Sequence, residues 1–129
     1  MDKFRVLIVD DEEDFLETIL KRLKARNIDV TGALSGVKAL SMMDDQDFDV
    51  VILDVKMPVM DGIETLREMK KKKPRMEVIM LTGHASVESG IQGMQLGAFD
   101  YVMKPVALDE LLEKMRQAYE RKLLSEGKA

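Results

Sequence analysis

The chain has 129 residues, enough for one domain with a substantial core, and its 46% hydrophobic and 34% charged residues are those of a folded globular protein rather than a disordered one. It contains no cysteine, which excludes disulfides, thiolate metal sites and a cysteine nucleophile. A formal net charge of -4 argues against direct nucleic-acid binding, and with apolar runs too short to span a membrane and no signal-peptide pattern around Met1-Asp2-Lys3, a cytoplasmic location is the expectation.

Apolar runs rich in Val and Ile alternate with segments of helical period, which reads as repeated βα units and a mostly parallel sheet. The first strand is predicted at 4–9. A helix follows, with Phe15, Leu16, Ile19, Leu20 and Leu23 on one stripe. A strand at 28–33 leads to a second helix, for which Ser35 is a suitable N-cap and Val37, Leu40 and Met43 the apolar positions. The third strand, 50–53, is followed by Asp61 with Glu64 three residues on, a capping-box spacing. Ile63, Leu66 and Met69 then mark a third helix that ends in the run Lys70 to Lys73 before Pro74. That lysine run reads as a solvated helix end favoured by the helix dipole. After a strand at 77–81 the fourth helix, about 86–95, is weakly specified, because Gly90 and Gly93 each cost roughly 1 kcal/mol of helix stability relative to alanine. The last strand, 99–103, precedes a helix whose inner face is Leu108, Leu111, Leu112, Met115 and Tyr119, with Asp109 and Glu110 at its positive end. Residues 1–124 form the expected domain, and 125–129 a short polar tail or linker stub.

Four strand ends carry chemistry. The first runs into Asp10-Asp11, the third into Asp54, the fourth into Thr82 and the fifth into Lys104-Pro105. In one parallel sheet these groups meet at the carboxyl edge, where open α/β sheets bind ligands. Carboxylates gathered at ~4 Å repel by roughly 4 kcal/mol per pair at an effective dielectric of ~20, so such a cluster needs a cation or protons. Oxygen ligands without His or Cys favour Mg²⁺, with Mn²⁺ as a substitute, and the ion would also neutralise an approaching phosphate. Asp54 is then a candidate nucleophile toward phosphorus, with Lys104 and the Thr82 hydroxyl as partners for phosphoryl oxygens.

Taken singly, each residue has an ordinary alternative. Asp11 could be the N-cap of the first helix, Asp10 a solvated loop acid and Asp54 the cap of a turn before Pro58. Thr82 could satisfy local backbone, and Lys104 could be a surface lysine. The argument for a site is their coincidence at four strand ends.

Asp10-Asp11, the stretch from Leu53-Asp54 through Lys56-Met57-Pro58 to Asp61-Gly62, Leu81-Thr82-Gly83-His84, and Gly97 to Tyr101 leading to Lys104-Pro105 together resemble the response-regulator receiver domains of two-component signalling. The resemblance covers essentially the whole chain. It implies a doubly wound, flavodoxin-like, five-stranded parallel sheet of order 2-1-3-4-5 with five flanking helices. It makes Asp54 the phosphoacceptor for the phosphohistidine of a sensor histidine kinase or phosphotransfer protein. Asp11 would bind Mg²⁺ directly, Asp10 mainly through water, and the backbone carbonyl of Lys56 would add a ligand beside Asp54. Thr82 and Lys104 would contact the phosphoryl group, Thr82 and Tyr101 would form the switch, and Lys104-Pro105 would be a cis peptide. Lys56 and His84 stand at positions that tune dephosphorylation. The output would be a shift of the helix 4, strand 5 and helix 5 surface, with Val87, Ile91 and Met94 either on it or in the core. A downstream output domain or protein, or a second copy of the chain, would read that surface.

Three other classes fit less well. A Mg²⁺-dependent phosphohydrolase using Asp54 would want an acid two residues on, where Lys56 stands. A flavin-binding protein would want a Ser/Thr/Gly-rich loop after the first strand, where Asp10-Asp11-Glu12-Glu13-Asp14 is found. A receiver that signals without phosphate would not need the intact acidic set.

Overall fold

A computed structural model of the chain describes residues 4–83 and 87–128. Five strands, β1 (Arg5–Val9), β2 (Asp29–Ala33), β3 (Val50–Asp54), β4 (Glu77–Thr82) and β5 (Asp100–Met103), alternate with five helices. The helices are α1 (Glu13–Lys24), α2 (Gly36–Asp45), α3 (Gly62–Lys72), α4 (Val87–Gln95) and α5 (Leu108–Ser125). All strand pairs are parallel and the order is β2-β1-β3-β4-β5. Each strand lies within one residue of its predicted bounds. Among the described residues no helix is long and apolar enough to cross a membrane.

The three inner strands, β1, β3 and β4, read as nearly continuous apolar runs because both sheet faces are covered, while the edge strands β2 and β5 are mixed in sequence and partly exposed. Val6 and Ile8 of β1 point to a layer shared with Leu16, Ile19 and Leu23 of α1 and Leu108, Leu111 and Met115 of α5. Leu7 and Val9 point the other way, among Ala39 and Met43 of α2 and Leu66 and Met69 of α3. The period of two along each strand thus sends alternate residues into two separate cores.

Local signals set the helix starts. The Ser35 hydroxyl accepts from the Lys38 N–H at 3.1 Å, and Asp61 Oδ1 from the Glu64 N–H at 2.9 Å, as their capping positions predict. At α1 the N-cap is Glu12, without a side-chain cap bond, so Asp11 is not held there as a cap. The lysine run also departs from expectation. Lys71, Lys72 and Lys73 pair with Glu68, Asp44 and Asp47, but Lys70 is half-buried, donating to the Met76 carbonyl at 2.8 Å and pairing with the buried Glu77 at 3.5 Å. Arg121 of α5 approaches the same Glu77 at 3.1 Å, so this lysine ties α3 to the amino end of β4 rather than serving as a solvated end.

The glycines of α4 have a packing reason in addition to their low propensity. A Cβ on Gly93 would stand 3.0 Å from Met80 Cγ, and one on Gly90 would stand 2.7 Å from Thr82 Cγ2. Helix α4 lies this close to β4 because those side chains are absent.

Gly62 controls the loop after Asp54. A Cβ there would overlap the Asp54 carbonyl oxygen and stand 2.7 Å from Val55 Cα, backbone atoms that cannot turn aside. Gly62→Ala is therefore expected to destabilise the fold by about 2–3 kcal/mol, the upper range for overpacking, with urea denaturation as the measurement. A loss under about 0.5 kcal/mol would show that the loop can relax around the added methyl.

Candidate functional site

The parallel register brings the strand ends together one after another. Val9 is paired with Leu53, so Asp10 and Asp54 leave neighbouring strands at the same level. Asp54 is paired with Leu81, and Thr82 follows directly. Thr82 is in turn paired with Met103, and its carbonyl accepts from the Lys104 N–H at 2.7 Å. The Lys104-Pro105 peptide is cis, as the resemblance implies.

Lys104 is the centre of the arrangement. Its ammonium donates to Asp10 Oδ2 at 2.8 Å and to Glu12 Oε1 at 2.9 Å, and stands 3.8 Å from Asp54 Oδ2. On its other side the Phe15 ring centroid is 4.5 Å away. Burial alone would lower this lysine, but its hydrogen bonds to Asp10 and Glu12 outweigh burial and hold it above its ordinary value. An ordinary surface lysine would be solvated and unpaired, and Lys104 is neither.

The carboxylates respond to the same geometry. Asp10 is fully buried, with Oδ1 accepting from the Glu12 N–H at 2.8 Å, and burial pushes it up against the opposing pull of Lys104 and that N–H. Asp54 is buried and pushed up to about 7, first by burial and then by the charge of Asp10, with Asp11 adding to it and Lys104 and the Lys56 N–H opposing. That Lys56 N–H donates to Asp54 Oδ1 at 3.3 Å, so Asp54 also turns its own loop. One oxygen from each of Asp10, Glu12 and Asp54 lies within 4.8 Å of the others. This all-oxygen set fits a hard divalent cation such as Mg²⁺.

Asp11 is exposed and stands outside that triplet, although its charge reaches Asp54. Thr82 is fully buried, and its Oγ1 has no hydrogen-bond partner among the described residues. A buried hydroxyl left unpaired costs about 1–3 kcal/mol, which makes it a donor in want of an acceptor. Tyr101 is half-buried, with its Cβ 3.7 Å from where a Gly90 Cβ would stand. Thr82, Gly90 and Tyr101 are thus one packed group. Lys56 is exposed and helps line a cleft of about 460 Å³ with Met57, Pro58, Ile63 and Ser89. His84 lies outside the described residues, as does the side chain of Val87. Ile91 and Met94 are 48% and 38% exposed, which places them on the surface rather than in the core.

Sequence reasoning missed Glu12, Phe15 and the packing role of Gly90. Glu12 follows the acidic pair directly, and Phe15 lies three residues further, in the first turn of α1, so their closeness to the pair was available as a signal.

An open parallel sheet with a buried carboxylate cluster and one lysine at its carboxyl edge defines a cation-binding α/β module of the doubly wound class. Residues 6–116 match the family model described as the response regulator receiver domain, and the chain belongs to that family. Regulatory protein AtoC of Escherichia coli (strain K12) is 41% identical over 107 residues, 83% of this chain and 23% of that protein. Response regulator MprA of Mycobacterium sp. (strain KMS) is 37% identical over 123 residues, 95% of this chain and 54% of that protein. The chain therefore spans about a quarter of the one and about half of the other. Among solved structures, a response regulator receiver domain protein from Clostridium thermocellum superposes with a TM-score of 0.89 at 38% identity, over 94% of this chain and 98% of that one. NtrX from Brucella abortus gives a TM-score of 0.91 at 28% identity, over 98% of this chain and 29% of that one. The chain is a receiver domain of two-component systems, a class of signalling module rather than of conventional enzymes.

The raised Asp54 carboxyl has a measurable consequence. An ordinary aspartate titrates near 3.8 and Asp54 near 7, so between those values the folded chain holds the proton that the unfolded chain has lost. Stability of the metal-free protein is then expected to fall as pH rises through that window, with the penalty complete above it. Asp54→Asn is expected to be more stable than wild type by roughly 2–4 kcal/mol at about pH 8, and the gain should shrink toward about pH 5. Denaturation curves at both pH values in the presence of a chelator measure this. A gain independent of pH would mean that Asp54 does not titrate there.

Proposed function

We propose that Asp54 accepts a phosphoryl group from the phosphohistidine of a sensor histidine kinase or phosphotransfer protein, and that the modified chain signals to an output domain or protein. The observation that carries this reading is Asp54 standing against both Asp10 and Lys104, a buried carboxylate with a second carboxylate and a cation beside it. A carboxylate oxygen of Asp54 attacks phosphorus in line. The bond from phosphorus to the donor imidazole breaks, and the imidazole leaves with the electron pair and regains a proton from solvent.

Asp10 and Asp54, with the backbone carbonyl of Lys56 and with Asp11, which stands outside the clustered triplet here, would hold Mg²⁺, or Mn²⁺ in its place, and Glu12 lies close enough to reach the same ion. The residues present fit such an ion, being oxygen donors whose burial and mutual charge already raise Asp10 and Asp54. Bound there, it supplies positive charge to the oxygens of the transferring group. Lys104 would supply a second positive charge, and the Thr82 Oγ1–H, without a partner among the described residues, would donate to a phosphoryl oxygen.

The same residues relay the event. Thr82 Cγ2 lies against the bare face of Gly90, and Tyr101 borders the same contact, so a Thr82 drawn toward the phosphoryl group frees space that Tyr101 and α4 reoccupy. Ile91 and Met94 give the α4, β5 and α5 surface an exposed apolar component for a partner or a second copy. Lys56, exposed two residues after Asp54, and His84, two residues after Thr82 in the sequence, would set how readily water reaches the aspartyl phosphate. Residues 1–124 would constitute the working domain, with α5 running through Ser125.

Two outcomes are expected. Incubation with Mg²⁺ and a small acyl phosphate should add one phosphoryl group to wild type by mass spectrometry and none to Asp54→Asn, and omission of Mg²⁺ should abolish the addition. Persistence of the same modification in Asp54→Asn would defeat the assignment. Hydrogen exchange should change in α4 and β5 on phosphorylation, and unchanged protection there would remove the proposed output surface while leaving the acceptor in place.

A further inference from the structure

The first turn of α1 does something that the acceptor chemistry does not require. Glu12, the N-cap of α1, and Phe15, in its first turn, both turn to Lys104, the carboxylate at 2.9 Å and the ring centroid at 4.5 Å. Asp10 completes the cradle at 2.8 Å from the floor of the site. Against these contacts, Asp54 is the distant partner of the lysine at 3.8 Å.

We propose that Glu12 is a positioning residue that parks Lys104 on the α1 side of the site and so sets how readily the lysine is released to a phosphoryl group on Asp54. The proposal rests on the functional reading above. Asp10 is fully buried and its other oxygen is occupied by the Glu12 N–H, so it cannot follow the lysine. Glu12 differs, because its side chain is 64% exposed and can let go into water without leaving a buried charge behind. One of the two short ion pairs is therefore fixed and the other releasable. The Phe15 ring closes the remaining side, favouring an ammonium at that spot through its π face. For Lys104 to reach an oxygen beyond Asp54 it must leave this cradle, and Glu12 opposes that departure. The chain's own ammonium thus occupies the carboxylate cluster until a metal ion and a phosphoryl group redistribute the charge.

Glu12→Gln keeps the size of the side chain and removes the charge that holds the lysine. At saturating Mg²⁺ and with acetyl phosphate as donor, the variant is expected to be phosphorylated about two- to five-fold faster than wild type, the range commanded by an ion pair with one exposed partner. Loss of a negative charge would by itself ease the approach of an anionic donor, so the comparison is repeated with Lys104→Met. If Glu12 acts through Lys104, Glu12→Gln has no effect in that background; an equal acceleration there overturns the proposal in favour of a general charge effect. A second readout needs no phosphate. In the metal-free protein the Lys104 ammonium protons, followed by nitrogen-15 NMR, should exchange with water several-fold faster in Glu12→Gln than in wild type, and unchanged exchange overturns the restraint. Uptake of phosphate by wild type tests the functional reading separately: uptake with equal rates for wild type and Glu12→Gln would leave that reading intact and dispose of the restraint alone.

Discussion

One electrostatic constraint organises the molecule: carboxylates delivered by adjacent parallel strands to the same edge cannot share that space without a positive charge. Unit charges at ~4 Å and an effective dielectric of ~20 interact by roughly 4 kcal/mol, a large fraction of the stability of a small domain. The register of β1 against β3 places Asp10 beside Asp54, and the end of β5 supplies Lys104 to them. The lysine relieves the cluster incompletely, since Asp10 and Asp54 still lie above the usual carboxylate range. A site neutralised by a side chain rather than by a bound ion leaves room for a stronger cation to reorganise it, which is what the proposed switch would require.

Much of the fold was legible because two-sided burial leaves a strong mark. The inner strands β1, β3 and β4, covered on both faces, are largely Val, Ile and Leu runs whose bounds came out within one residue, and Ser35 and Asp61 announced their helices through capping chemistry. Strand order was different. Periodicity says which segments are strands but not which are neighbours, and the order came only from the resemblance of the motifs.

Within the site, residue types at strand ends were readable, while side-chain directions were not. Asp10, Asp54, Thr82 and Lys104 follow from where apolar runs stop. Glu12 looked like one more acid at a helix start, and only the rotamer that turns it toward Lys104 makes it part of the site. Gly90 was visible as a weak helix former, but its use is a close approach between α4 and Thr82, a tertiary fact without a local signature. Lys70 was misjudged for the same reason: its charge suggested solvent, and the partner that buries it, Glu77, starts the following strand.

The two ends of the sheet differ in how their polar groups are satisfied. At the amino edge Glu77 is met by Lys70 and Arg121, and Asp49 receives the Arg5 N–H at 2.8 Å and the Lys122 ammonium at 2.9 Å, which anchors α3 and the far end of α5. The carboxyl edge carries other features: raised carboxyls, a buried hydroxyl without a partner among the described residues, and at Val59 a β-branched residue with φ of 67° that is almost fully exposed. Such a φ is unfavourable for a β-branched side chain, and the exposed side chain makes little packing to offset it. The amino edge has such features as well, in Asn27 with φ of 62° and in Glu126 Oε1, but its buried Glu77 is paired twice, whereas the carboxyl edge keeps a raised Asp54 and a Thr82 hydroxyl without a partner among the described residues. On the proposed function, a perturbation entering at Asp54 would meet the least satisfied groups on its own edge and a base held by ion pairs beneath them, a contrast that favours a response sideways into α4 and β5 over one through the sheet.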